Sequence, residues 1–319
     1  ISDRLLTYAS TKLVDRESRT ALDVQNSNKR SSIYTLGGQF ALTPQAALNF
    51  YVTNVFGPFG SAANTNFYPD INQPVFGATF TYTPSGKKVG NNAPRFYDAA
   101  TATNVSPRGG HDFLNADKVR IAGFVGAGGL DGFGLAFAPD PDILFEFNLE
   151  QYASGSSSSF RPDNQEDQRF AVGGRWRAFS EQYGHPFDLE FGVSAGRDIE
   201  KPSLGVLFAD VRLLKKVGGT DLTLKALHAS YADKKPIGAG FGISGSISKY
   251  FSVGAKTVFT SEGEKIWKLN GEYQFDNLPF SLGLFAGNAI GRTGVGQLYS
   301  SSEMQIGASL SWETSLDLF

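Results

Sequence analysis

Near the carboxyl terminus of the chain, apolar and polar residues alternate with a period of two over about ten residues at a time. Between positions 265 and 275, Trp267, Leu269 and Tyr273 stand at odd positions, whereas polar side chains hold most even positions. The alternation returns at 280–287 and at 303–313. Because successive side chains of a strand point to opposite faces of a sheet, this period predicts three β-strands, each with an apolar and a polar face.

The length of these segments predicts the surroundings of the sheet. Strands in soluble sandwiches average about five to six residues, whereas about ten tilted residues are needed to cross the hydrocarbon core of a bilayer. Lipid offers the backbone no hydrogen-bonding partner, so a sheet that crosses it must close on itself. The predicted fold class is therefore all-β, a transmembrane antiparallel β-barrel.

Composition agrees with this fold and excludes others. The 319 residues include 37 glycines, 27 phenylalanines and 12 tyrosines but no cysteine, which suits an exported barrel without disulfides. Mean hydropathy is -0.20 and no run of 18 apolar residues occurs, which argues against a helical membrane protein. The formal charge of -2 carries no basic excess, so no nucleic-acid partner is expected. We interpret the start at Ile1 as a mature or trimmed form, with a cytosolic protein as the competing interpretation.

Strand-like segments recur along the chain and give a strand count. Short turns such as the one at residues 43–45 alternate with long loops, which predicts periplasmic turns and external loops. We count about 16 strands, or 14 if residues 1–30 and 87–116 contribute none. The predicted division is an N-terminal strand or periplasmic segment at 1–30 and the barrel at 31–319. Residues 87–116 lack clear periodicity, and we interpret them as one strand plus a long loop that folds into the lumen and constricts it.

On these features, residues 31–319 resemble the outer-membrane β-barrels of Gram-negative bacteria, of the porin and porin-like channel kind. The resemblance is one of architecture, and it includes the aromatic residues Trp176, Tyr273, Phe275 and Trp312 and the terminal Phe319. It implies a location in the outer membrane and contact with outer-membrane lipid. The terminal phenylalanine is similar to the signal by which such barrels are recognised for insertion.

Charged residues occupy the inward positions of consecutive predicted strands. The predicted lumen-lining residues are Glu146, Glu150, Arg169, Arg175, Arg177, Asp188, Glu190, Asp210, Arg212, Lys225, Lys268 and Glu272. Opposed charges in a lumen orient and filter polar solutes. Cross-strand ion pairs are equally ordinary sheet stabilisers that would only hold the wall rigid. The sequence leaves both interpretations open.

The function expected from this pattern is passive diffusion of small polar solutes or ions through the lumen. The alternative is a plugged structural or assembly barrel that holds a partner protein, and a soluble β-sandwich binding protein is a third interpretation. Homo-oligomers and periplasmic or extracellular partner proteins stay open. The chain has three histidines, His111, His185 and His228. The sequence pattern does not bring any of them together with a serine and an acidic residue as a catalytic triad, so we expect no enzyme activity, cofactor or metal.

Overall fold

The computed structural model of the chain describes residues 5–14, 31–42, 46–55, 70–82, 113–114, 116–153, 168–181, 184–199, 205–231, 234–276 and 278–315. These residues hold sixteen β-strands, divided between two compact units at residues 1–99 and 100–319. Phe319 and most of the segment 87–116 lie outside the described residues. No helix in the described ranges is long and apolar enough to cross a membrane.

The first unit is an open antiparallel sheet of four strands in sequential order. Its strands are β1 (Leu5–Val14), β2 (Ser31–Ala41), β3 (Ala46–Val55) and β4 (Asp70–Tyr82). One face exposes large apolar side chains, among them Leu36, Phe50 and Phe76. On the other face, the hydroxyl of Tyr8 donates to Asn49 Oδ1 across 2.9 Å. The alternation predicted for this part of the chain is therefore confirmed.

The second unit is a closed antiparallel barrel of twelve strands. Its strands are β5 (Lys118–Gly126), β6 (Asp131–Asp140), β7 (Ile143–Gln151), β8 (Gln168–Phe179), β9 (Asp188–Asp198), β10 (Gly205–Val217), β11 (Thr220–Tyr231), β12 (Ile237–Ser246), β13 (Phe251–Thr260), β14 (Lys265–Gln274), β15 (Phe280–Ala289) and β16 (Ser300–Ser315). Each strand pairs with the next, and β16 pairs with β5 to close the barrel.

The predicted barrel of about 16 or 14 strands is therefore wrong, whereas the closed antiparallel architecture is confirmed. Strands β2 to β4 alternate as regularly as the barrel strands, but they pair with one another and with β1. Alternation identifies a strand without identifying its partner, so the sequence could not separate the two sheets. Twelve strands enclose a narrower lumen than sixteen, because barrel diameter grows with strand number.

The two faces of the barrel wall differ in the way the alternation predicts. Along β16, Ile306 is 54% exposed on the outer face, whereas its neighbour Gln305 is 2% exposed on the inner face. Side chains of the apolar outer face have no protein layer over them in the barrel unit, which is the arrangement of a sheet that contacts lipid. The inner face carries the charged and polar residues.

The two ends of the barrel also differ. The turn end carries short connections such as 141–142 and 218–219, and the loop end carries the longer segments 152–167 and 290–299. Paired aromatic rings lie on the outer face near the turn end. The pairs and their centroid distances are Trp176 with Phe191 at 5.7 Å, Tyr273 with Phe275 at 5.2 Å and Phe280 with Trp312 at 6.3 Å. Aromatic residues in this position are typical of the level of lipid headgroups.

A tight glycine turn joins the first two strands of the barrel. Strand β5 ends at Gly126, and a 3₁₀ turn at Ala127–Gly129 leads into β6. Gly128 and Gly129 have φ angles of 67° and 79°. These left-handed conformations are favourable for glycine, which has no Cβ to clash with the backbone.

Candidate functional site

A segment between β15 and β16 folds into the lumen of the barrel. We call Ile290–Tyr299 the inserted segment; it contains a 3₁₀ helix at Gly294–Leu298 that contacts strands on several sides of the barrel. At its base, the amide of Ile290 donates to the Tyr299 carbonyl across 3.1 Å. Gly291 and Gly296 face each other so closely that a Cβ on Gly296 would lie 2.7 Å from the Gly291 Cα. The lumen is therefore narrowed by a compact element of the barrel unit itself.

An apolar cluster fixes the inserted segment at the loop end of the lumen. Leu298 and Tyr299 are fully buried. The cluster comprises Tyr152, Phe208, Leu227, Ala229, Tyr231, Val258, Ile266, Ala289, Ile290, Val295, Leu298 and Tyr299. The lack of a side chain at Gly238 on β12 leaves room for Leu298. A Cβ at Gly238 would lie 2.7 Å from the leucine side chain. The hydroxyls of Tyr231 and Tyr299 share a hydrogen bond, and burial raises the pKa of Tyr299 to about 12.

Polar side chains of the barrel wall bind the backbone of the inserted segment. The buried carboxylate of Glu150 accepts hydrogen bonds from the amides of Arg292 and Thr293 and from the Thr293 hydroxyl, the latter across 2.6 Å. Lys268 Nζ donates to the carbonyl oxygens of Gly291 and Arg292 across 3.2 and 3.4 Å. Glu150 and Lys268, on nearly opposite sides of the segment, thus provide hydrogen-bond partners for its backbone amides and carbonyls. Apolar side chains of the wall could not provide them.

The side chain of Arg292 lies on two aromatic rings of the inner wall. Its guanidinium carbon is 4.9 Å from the ring centroid of Phe124 and 4.3 Å from that of Phe285. The two rings meet edge to face and cover glycines on the neighbouring strands, Gly132 and Gly307. A guanidinium over ring faces gains cation–π attraction, so the rings hold a positive charge at the lumen surface.

A buried ion-pair network forms the wall of β8, β9 and β10. We give this name to Arg175, Arg177, Glu190, Asp210 and Arg212. Arg175 binds Asp210 through both terminal nitrogens, at 2.9 and 3.0 Å, and Arg212 Nε lies 2.6 Å from the same carboxylate. Glu190 lies 3.9 Å from Arg175 and 3.8 Å from Arg177. These contacts favour the interpretation in which charges in this wall stabilise one another.

Gly192 on β9 makes the central contact of this network possible. Arg175 and Asp210 lie on strands β8 and β10, with Gly192 directly between them in register. A Cβ on Gly192 would lie 2.4 Å from Asp210 Oδ1 and 2.9 Å from an Arg175 nitrogen. The absent side chain therefore lets the ion pair cross over the intervening strand.

Only the end of the predicted constriction at 87–116 falls among the described residues. Phe113 and Leu114 are buried against Ala136, Ala138 and Leu144 of the inner wall. The guanidinium carbon of Arg177 lies 4.1 Å from the Phe113 ring centroid. This end of the segment thus packs on the inner face, near the turn end of the barrel.

Beside the inserted segment, the lumen retains a cavity of about 430 Å³. Seven of the predicted lumen residues line it: Glu146, Arg175, Asp210, Arg212, Lys225, Lys268 and Glu272. Glu150 and Arg169 line a small pocket at the side of the inserted segment. Arg177, Asp188 and Glu190 are buried in the wall and border neither space.

Sequence reasoning missed four features of this site, the first of which is Arg120, a base of β5 that lines the cavity. Lys256 lines the cavity, and its inward position in the alternation of 251–259 was a sufficient signal. The inserted segment was hidden because its glycine-rich sequence has no strand or helix period, although a ten-residue connection is long for a hairpin. Arg292 belongs to that segment. Because the segment is not a strand, its sequence has no alternation that predicts whether the Arg292 side chain points into the lumen.

No family model and no curated protein matches the sequence. Among solved structures, the KdgM porin is 11% identical, covering 61% of this chain and 98% of that chain with a TM-score of 0.45. An outer membrane channel from Pseudomonas putida F1 is 10% identical, covering 66% and 100% with a TM-score of 0.44. OmpF of Salmonella typhi is 9% identical, covering 98% and 97% with a TM-score of 0.31.

The first of these neighbours is described as a porin and the second as an outer membrane channel. At such identities and TM-scores the likenesses carry no argument about the solute or the site. The strand pairing of the chain itself establishes the closed barrel.

Proposed function

We propose that the chain is an outer-membrane channel for passive diffusion of small polar solutes or ions, with its charged lumen as the filter. The observation that supports this most is the charged cavity of about 430 Å³ inside a closed barrel. Charged side chains around such a space require hydration or a polar solute, because burying unsatisfied charge is costly. A wet lumen inside an apolar outer wall is the arrangement of a diffusion channel.

The proposal assigns the inserted segment as the constriction. Its apolar side packs on β10, β11, β13, β14 and β15 at the loop end, whereas residues 291–294 and Gln297 line the cavity. The histidines of the barrel have no catalytic role in this proposal. His185 packs against the Phe179 ring with centroids 5.0 Å apart, and His228 is exposed on the outer face.

The apolar cluster around the inserted segment also supports the second candidate, a plugged barrel that holds a partner protein. Twelve predominantly apolar residues pack there with exposures of 6% or less, which is a closed arrangement. A plug of this kind would leave the cavity as a blind pocket instead of a path. The two functions differ in whether the folded barrel conducts.

Single-channel recording in a planar bilayer tests the proposed function. Detergent-refolded protein is expected to give steady unitary current steps, because the proposal requires a hydrated cavity that is continuous with both solutions. Heat-dependent mobility on a denaturing gel serves as the check that the barrel has folded. A folded barrel that inserts but conducts no current would contradict the channel and favour the plugged structural role.

A further inference from the structure

The carboxylates of the lumen are already engaged by neighbouring groups. Asp210 and Glu190 belong to the ion-pair network, and Glu150 binds the inserted segment. Glu272 accepts a hydrogen bond from the Ser281 hydroxyl. Glu146 on β7 lines the cavity, and Arg120 on β5 lies at the same level of the wall. Both residues pair with Ala136 on the strand between them. Asp210 and Glu272 therefore offer little negative charge to the open space, whereas Glu146 faces it.

Strands β11, β13 and β14 and the inserted segment concentrate positive charge at the cavity. We call Lys225, Lys256, Lys268 and Arg292 the basic patch; all four line the cavity. Lys256 and Lys268 stand directly opposite each other on β13 and β14. Like charges in that relation destabilise a sheet unless something of opposite charge lies between them. Lys268 also lies within the electrostatic reach of Lys225 and Arg292.

Contacts within the protein do not neutralise this pair. Within the described ranges, neither Lys256 nor Lys268 forms an ion pair with a carboxylate. The hydrogen bonds of Lys268 go to carbonyl oxygens, which leave its charge uncompensated. Glu150 acts on Lys268 from a distance, but its oxygens already accept hydrogen bonds from Arg292 and Thr293.

The whole cavity lining shows the same excess. The basic residues that line it are Arg120, Arg175, Arg212, Lys225, Lys256, Lys268 and Arg292, and the acidic ones are Glu146, Asp210 and Glu272. Among the described residues, seven bases against three acids leave a formal charge of +4 around about 430 Å³. That volume lies within the range of roughly 300–1,000 Å³ usual for small-molecule sites. Neutral donors, including Asn270 and Gln297, line the same space.

We infer that the basic patch binds small oxyanions with more than one negative charge, carboxylates or phosphates, and makes the channel prefer anions. The inference rests on the proposed function, because it names the class of solute that the channel passes. An oxyanion between Lys256 and Lys268 would relieve their repulsion and accept charge-assisted hydrogen bonds from both. The ion-pair network, which adjoins the patch where Arg212 pairs with Lys225 across β10 and β11, contributes less, since its arginines are already paired with acids.

Reversal potentials in a potassium chloride gradient test the inference. Wild-type protein is expected to pass chloride more readily than potassium, and Lys256→Glu is expected to lower the chloride-to-potassium permeability ratio severalfold. Citrate, as a probe oxyanion, is expected to interrupt the wild-type current at concentrations that leave the Lys256→Glu current unaffected. Lys249→Glu is the matched control: it makes the same charge change in an exposed turn outside the lumen, so the ratio should stay as in wild type.

The possible outcomes separate the inference from the proposed function. A conducting barrel that prefers potassium, or whose current is insensitive to citrate, overturns the inference and leaves the channel in place. A folded barrel without current overturns the channel, and the patch is then judged by thermal unfolding in detergent. There, citrate should raise the Tm of wild type more than that of Lys256→Gln, at equal ionic strength; equal shifts would refute the anion site.

Discussion

Replacing Asp210 with asparagine is expected to destabilise the barrel by about 3–5 kcal/mol, the usual cost of removing one partner from a buried ion pair. The carboxylate of Asp210 binds both terminal nitrogens of Arg175 and Nε of Arg212, and its side chain is 1% exposed. Without its charge, two guanidinium groups lie close together in a buried wall with one acid fewer. The measurement is the free energy of unfolding in urea, with wild type and Asp210→Asn refolded into the same lipid or detergent.

Gly192→Ala tests the same contact without removing any charge. Its new Cβ would lie 2.4 Å from Asp210 Oδ1, so the ion pair must separate or the strands must shift. Gly123→Ala is the control, since a Cβ at that strand position meets nothing nearer than 3.9 Å. The account of the network is wrong if Asp210→Asn and Gly192→Ala cost no more stability than Gly123→Ala.

Shortening the inserted segment is expected to raise the single-channel conductance severalfold. Replacing residues 291–298 with Asn-Gly should leave a regular hairpin, because the Ile290 amide already bonds the Tyr299 carbonyl at the base of the segment. The change removes the 3₁₀ helix from the lumen while all twelve strands remain. Planar-bilayer recording of the two proteins gives the comparison.

A point variant separates release of the inserted segment from loss of lumen charge. Glu150→Ala removes the acceptor of three hydrogen bonds from Arg292 and Thr293, so the segment should move more freely and the current should become larger and noisier. Glu272→Ala also removes one lumen carboxylate, but that carboxylate accepts its hydrogen bond from Ser281 on the barrel wall. We expect its conductance to stay close to wild type. Equal conductance in the shortened and wild-type proteins would exclude the inserted segment as the constriction.

The sequence predicted the strands well because their alternation is a local property. Ile306 and Gln305 point to opposite faces, as the period of two requires, and their exposures follow that assignment. The closure of the barrel is a non-local property. Nothing in the sequence of β4 distinguishes an edge of a separate sheet from a barrel strand, so the count of about 16 could not be corrected before the pairing of β16 with β5 was seen.

The charged residues were predicted by position, but their partners were not. Arg175 and Asp210 are 35 residues apart and two strands apart, and Gly192 between them is informative only once the register is known. Of the two interpretations left open for the charged band, the contacts of β8 to β10 support ion pairs that stabilise the wall, and the filter is a proposal that rests on the cavity lining. Paired charges occupy β8 to β10, whereas the lysines of β11, β13 and β14 face the cavity.

The pairing of β5 with β16 closes the barrel and determines the width of its lumen. Cysteine crosslinking tests directly whether these two strands are neighbours. Ala122 and Ser311 are partners in that pairing, and the natural chain has no cysteine to interfere. Opposite residues in antiparallel strands have Cα atoms about 4.5–5.5 Å apart, which suits a disulfide. We expect Ala122→Cys combined with Ser311→Cys to crosslink in the folded protein and to change its mobility on a non-reducing gel after heating.

The control pair is Ser281→Cys with Ser311→Cys, because these two serines lie on adjacent hairpin strands with their hydroxyl oxygens 2.6 Å apart. That pair should crosslink whichever strand closes the barrel. Efficient crosslinking of both pairs would establish the twelve-stranded closure and the narrow, charged lumen. Crosslinking of the control pair alone would show that β16 has another neighbour and would contradict the account.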